Sequence, residues 1–235
     1  MTLSEPATHP WKKLGSVFRG RFACLSLSIV LLLALHPVLE PVALKGIAAV
    51  ELFYWAILLS VIRAVSGRRP PVRTLAYVLA GLNASAQVAG LLLPAAWIAW
   101  TELATEMLLY GFMAVLILGH VFGAGRVDSD RLLGAVCVYF FIGLIWGDAY
   151  ALIEHLQPGS FLLPGPASDP FPALLYFSYT TLTTLGYGDV VPLSPLTRML
   201  AALEAVAGQL YVTVLVARLV GLHLAQSPRL SAAAD

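Results

Sequence analysis

Charge is what this chain has least of. Only 11% of its 235 residues are Asp, Glu, Lys or Arg, against about 25% in soluble domains. A net charge of +1 gives no basic surface for nucleic acid and no acidic or basic bias toward a charged substrate. Cysteine is nearly absent. Cys24 and Cys137 are the two, and both fall inside apolar runs, where they read as small buried hydrophobes rather than a disulfide. The five histidines stand at no metal-ligand spacing. The chain has no C-x-x-C, H-E-x-x-H or G-x-S-x-G and no phosphate-binding loop, so an enzyme, a catalytic cofactor and a small-molecule substrate have no anchor. What fills the sequence instead is hydrocarbon: 59% of residues are hydrophobic and mean hydropathy is +0.84. That composition belongs to an integral membrane protein, whose first partner is the lipid bilayer.

The apolar runs divide the chain. A polar, basic segment, 1–21, leads into a first span, Phe22 to Leu39. It is read as uncleaved, because the run is long and no A-x-A-like site follows it. Further spans are expected at about Leu44–Ile62, Thr74–Leu93, Trp97–Phe122, Leu132–Leu156 and Leu196–Leu224. Asn83 and Gln87 share a face of the third, and Trp97 and Trp100 open the fourth as an interfacial belt. Between the last two spans, Gln157–Pro170 is too rich in Pro, Gly and Ser to cross. Asp169 and Pro170 read as the N-cap and first position of a helix running to about Thr183. At about 14 residues it reaches ~21 Å, short of the ~30 Å hydrocarbon core. It is therefore re-entrant, with its end enclosed by protein or a water-filled cavity.

The fold class expected is an all-α membrane protein: six transmembrane helices plus a re-entrant helix and an extended segment between helices five and six. The units are an N-terminal segment 1–21, a four-helix domain 22–123, a second domain 124–224 and a tail 225–235. With the N-terminus in the cytoplasm, all 14 Lys and Arg except Lys45 and Arg198 fall at the cytoplasmic side or its boundary. That is the positive-inside bias, and it puts both termini in the cytoplasm and the segment after the re-entrant helix on the outer face.

That segment reads T-T-L-T-T-L-G-Y-G-D, Thr180 to Asp189. Gly186 and Gly188 can take φ > 0, which other residues resist. Alternating backbone handedness would turn successive carbonyls of Thr184, Leu185, Gly186, Tyr187 and Gly188 to one side. Four such strands around an axis form oxygen cages that replace an ion's hydration shell. The Thr184 hydroxyl would add to the inner end, and the Leu185 and Tyr187 side chains would point away from the axis. These residues resemble the selectivity filter of the tetrameric potassium-channel family, whose usual form is T-V-G-Y-G-D. Leu185 is the one departure, at a side chain expected to face packing rather than ion.

The resemblance implies potassium-selective conduction through a homotetramer, with permeant K⁺ in the filter and no other cofactor. It also implies that Asp189 braces the filter from behind. The family often offers a Trp eight residues before the filter threonine. That position is Tyr176 here, and Tyr176 or Thr180 is the expected holder of Asp189. Glu204 is expected against the threonines of the re-entrant helix as a brace. Gly208 sits where many family members place a hinge glycine, and it reads equally as a small residue allowing close helix packing. Gln209 is a candidate to face the inner cavity. Arg198 is expected to pair with Asp148 or Glu154.

Six spans with the pore in the last two also resemble voltage-gated channels, whose fourth span carries arginines at every third position. Trp97–Phe122 has none and holds Glu102 and Glu106 instead, so ordinary voltage sensing lacks its mobile charge. Glu51, Glu102 and Glu106 would lie in the outer part of the membrane, either as a proton- or divalent-responsive cluster or as hydrogen-bonded acids near headgroups. A weakly selective cation channel and a non-conducting modulatory subunit are the alternatives to a potassium channel. The compact plan suggests a bacterial plasma membrane, with the gating stimulus left open.

Overall fold

A computed structural model of the chain describes residues 22, 25–31, 70–93, 96–123, 129–165 and 170–226. The second expected span with Glu51, Lys45 and Arg63, most of the first, Cys24, Asp169 and both termini lie outside these residues. Five helices and one small ladder are described: α1 (Pro70–Leu92), α2 (Ala96–Val121), α3 (Ser129–Leu156), β1 (Phe161–Leu162), α4 (Phe171–Leu182), β2 (Val191–Pro192) and α5 (Pro195–Gln226). A further helical stretch covers 25–31.

Among the described residues, three helices are long and apolar enough to cross a membrane: Trp97–Val121 in α2, Asp130–Leu156 in α3 and Pro195–Arg218 in α5. α1 forms where a span is expected. α4, at 12 residues, is ~18 Å long and too short to cross. Its cap differs by a residue from the sequence expectation. Pro170 itself is the N-cap, with no side-chain bond, and its carbonyl accepts Leu174 N–H at 3.1 Å.

Two clusters hold the elements together. The larger joins the 25–31 helix, α1, α2 and α3 through Leu25, Ile29, Ala80, Met113, Ile117 and Phe141. Cys137, buried and unpaired, belongs to it and lies 3.0 Å from the Ser26 hydroxyl. The smaller is aromatic. Tyr150 on α3, Phe161 on β1 and Phe177 on α4 meet edge to face, with centroids 5.3–5.5 Å apart, the arrangement ring quadrupoles favour. It anchors the loop after α3 to α4.

Glycines set how closely α4 approaches its neighbours. A Cβ at Gly143 would strike the Tyr179 ring, and one at Gly147 would come within 3.2 Å of Leu175 Cα. These positions, one helical turn apart on α3, form the trough in which α4 lies. On the other side, a Cβ at Gly208 of α5 would meet the Leu182 carbonyl oxygen at the end of α4. The short helix is thus wedged between two long ones by three missing side chains.

The β ladder was not foreseen from the sequence. Phe161 pairs with Pro192 and Leu162 with Val191, antiparallel. The Ser160 carbonyl next to it accepts Leu193 N–H at 2.8 Å and the Thr197 hydroxyl at 3.2 Å. The loop before α4 and the segment before α5 are thereby tied together across T-L-G-Y-G-D.

Candidate functional site

The site begins where α4 stops. Thr183 N–H still bonds the Tyr179 carbonyl at 3.1 Å, and Thr184 N–H bonds Thr181 at 2.9 Å. The Thr180 carbonyl then accepts both Leu185 N–H (2.8 Å) and Gly186 N–H (3.1 Å), which satisfies one of the last carbonyls that a helix C-terminus leaves without an intrahelical partner. Beyond this the chain is extended. Thr184, Gly186 and Gly188 have φ of 60°, 52° and 78°. Every second residue is therefore left-handed, and Leu185 and Tyr187 between them are not. Two of the three are glycines, as the sequence predicts. Thr184 is the third, and only the structure reveals it, because an L-residue in this region is strained.

Thr183 through Asp189 are exposed in the single chain, with Leu185 at 55% and Tyr187 at 69%. Neither of those side chains is buried by the rest of the chain. α5 is similarly bare: only 11% of its apolar window is buried, and Leu196, Met199, Leu203, Val206 and Leu210 stand open.

Behind the segment, the Tyr176 hydroxyl donates to Asp189 Oδ1 at 3.2 Å, and Val190 N–H reaches the same oxygen at 3.2 Å. The Thr180 hydroxyl does not take part. It donates to Phe177 O at 3.0 Å within its own helix, so Thr180 contributes through its carbonyl. Glu204 is fully buried, but its partners are not threonines. It receives Tyr150 OH at Oε2 (2.7 Å) and lies 2.5 Å from Ser178 Oγ through Oε1. The reason is rotational: Ser178, not Thr180 or Thr181, is the hydroxyl on the α4 face turned toward α3 and α5. Gly208 is buried against Leu182, and Gln209 is exposed.

The expected partners of Arg198 are also different. Its Nε donates to Pro192 O at 3.2 Å. Glu154 accepts the backbone N–H groups of Gly159 (2.8 Å) and Phe161 (3.1 Å). Asp148 is fully buried with neither oxygen hydrogen-bonded.

The acidic cluster is only partly described. Glu106 accepts Gln87 Nε2 at 3.1 Å, and Glu102 lies against Gly90 of α1. The neighbouring Asn83 donates to Thr105 Oγ1 at 3.2 Å. At the opposite end of the helices, Arg218 donates to Phe122 O and lies over the Phe122 ring, 4.9 Å from its centroid. Arg131 caps the same turn through Gly123 O at 2.8 Å. No motif marks these two caps. Their only sequence signal is a cation placed near a helix C-terminus in space.

Residues 132–222 match the model of a family described as an ion channel. That range runs from near the start of α3 nearly to the end of α5 and contains α4, the T-L-G-Y-G-D segment, Tyr176 and Glu204. The chain is also similar to the inward rectifier potassium channel Kirbac3.1 of Paramagnetospirillum magnetotacticum, 41% identical over 59 residues, which are 25% of this chain and 17% of that protein. The similarity thus spans under a fifth of the relative's length. No solved structure matches the chain. The likeness is to a channel and not to an enzyme, and with three helices among the described residues long and apolar enough to cross a bilayer this is a membrane protein.

Proposed function

We propose that the chain is one subunit of a homotetrameric, potassium-selective channel of the plasma membrane, with Thr184, Leu185, Gly186, Tyr187 and Gly188 as its selectivity filter. One observation carries the reading: left-handed φ at 184, 186 and 188, directly after a helix too short to cross. That alternation is what a column of same-side carbonyls requires, and carbonyl oxygens in rings stand in for the water around a dehydrated potassium ion.

Two further features support it. The bare Leu185 and Tyr187 side chains and the open face of α5 are explained if neighbouring copies cover them, since a lone subunit would leave its filter unbraced. The C-terminal end of α4 carries partial negative charge, which in this reading favours a cation below the filter. In this reading the full chain has six spans with both termini cytoplasmic. α3, α4 and α5 are the outer, pore and inner helices, Asp189 and Tyr176 brace the filter, and Gln209 faces the inner cavity.

Rubidium flux into proteoliposomes holding the purified full chain, with barium block, tests this. Gly186→Ala is the control, because alanine at φ 52° costs about 1–2 kcal/mol per subunit and should abolish flux. A reversal potential indifferent to exchanging K⁺ for Na⁺ would mark a weakly selective cation channel instead. Silence of an intact homotetramer would mark a modulatory subunit.

A further inference from the structure

Three buried oxygen–oxygen contacts run in series through Glu204. Tyr150 Oη is 2.7 Å from Glu204 Oε2, Glu204 Oε1 is 2.5 Å from Ser178 Oγ, and Ser178 Oγ is 2.8 Å from the Gly143 carbonyl. Each contact is short enough to require a proton between the oxygens. Tyr150 supplies one. Ser178 has a single hydroxyl proton, and a backbone carbonyl can only accept. If Ser178 donated to Glu204, its 2.8 Å approach to Gly143 O would be two lone pairs facing each other. If it donated to Gly143, the 2.5 Å contact would lack a proton unless Glu204 brought one. Three contacts need three protons, and the third can come only from the carboxyl group.

We infer that Glu204 is held as the neutral acid and serves as a positioning residue, donating to Ser178, which donates to Gly143, so that α3, α4 and α5 are locked in one register. The surroundings agree with the count. Glu204 and Ser178 are both fully buried, and an unpaired carboxylate there would be costly. The titratable side chains facing Glu204 are Tyr150 and Tyr139 on α3 and Tyr179 on α4. None brings positive charge, and among the described residues no lysine or arginine pairs with Glu204. The relay lies two residues along α4 from Thr180, whose carbonyl fastens Leu185 and Gly186. A shift in α4 register therefore moves the segment that follows.

The flux part of the test rests on the channel reading; the spectroscopic part does not. Full-length wild type, Glu204→Gln and Ser178→Ala are each reconstituted. A glutamine amide reproduces the neutral acid, its NH₂ donating to Ser178 and its carbonyl accepting Tyr150. Glu204→Gln should keep rubidium flux within about twofold of wild type and the same tetramer melting behaviour. Ser178→Ala breaks two contacts and should lower flux by about fivefold or more. In infrared difference spectra, wild type minus Glu204→Gln should show a protonated-carboxyl carbonyl band.

A Glu204→Gln protein as impaired as Ser178→Ala, or unable to assemble, overturns the inference, as does absence of that band. A Ser178→Ala protein indistinguishable from wild type overturns the positioning role. If wild type itself carries no rubidium, the channel reading fails, and the band together with the melting behaviour still decides the relay.

Discussion

Replacing Gly208 by alanine separates two meanings of one residue, because a hinge and a tight contact respond in opposite ways. The added Cβ would overlap the Leu182 carbonyl oxygen and come within 2.9 Å of Leu182 Cδ1. A side chain can rotate away, but a backbone carbonyl at a helix end cannot, so α4 and α5 must part. Overpacking of this kind costs about 1–3 kcal/mol. Alanine in a helix recovers about 1 kcal/mol over glycine, leaving a net loss of about 0–2 kcal/mol per subunit. The Tyr139 hydroxyl, 3.3 Å from the same Leu182 oxygen, would be displaced as well. The matched control is Gly81→Ala in α1, where a Cβ meets nothing within 4 Å and only the gain of up to about 1 kcal/mol applies. Thermal melts of the detergent-solubilised protein, followed by size-exclusion chromatography, should therefore place Gly208→Ala below wild type and Gly81→Ala at or above it. Potassium-over-sodium selectivity should fall in Gly208→Ala, because Leu182 lies two residues before Thr184. If Gly208→Ala melts with Gly81→Ala and changes only how often the pore opens, the contact argument is refuted and the hinge reading stands.

Other substitutions probe separate links. Tyr176→Phe removes the exposed 3.2 Å bond to Asp189; it should speed inactivation in single-channel records, whereas Thr180→Val should not, since that hydroxyl bonds Phe177 O. Arg218→Ala loses both the carbonyl and the ring contact at Phe122 and should cost about 1–2 kcal/mol in the same melts, with Arg218→Lys recovering only part because a point charge cannot make both contacts at once. Glu154→Ala frees the amides of Gly159 and Phe161 and should raise protease cleavage in the 157–165 loop several-fold, while unchanged cleavage would show that the β1–β2 ladder alone holds the loop.

Local chemistry was readable one residue at a time. Scarce charge and long apolar runs announce a membrane protein. A stretch too short to cross, ending in threonines and alternating glycines, announces a left-handed segment wherever it sits, because only glycine tolerates that backbone without strain. The Tyr176–Asp189 pair was legible as one of two options through the family resemblance, which places a filter brace at both positions. What resisted reading was every contact between elements distant in sequence. Glu204 was expected to meet threonines and meets Tyr150 and Ser178. Arg198 was expected to meet an acid and meets Pro192. Phe161 lies in a loop whose composition argues against a strand, yet it pairs with Pro192 across 31 residues.

The sequence by itself thus determined the solvent this protein lives in, the helix that cannot span and the backbone hand of Gly186 and Gly188. The tertiary structure alone decided which α4 hydroxyl Glu204 would find, that Thr184 would share the glycines' hand, and that Gly208 would lie against a carbonyl. The physical reason is one of range. Propensity, length and glycine freedom act within a few residues, whereas the rotation of one helix against another is set by packing on every side at once, and no local pattern records it.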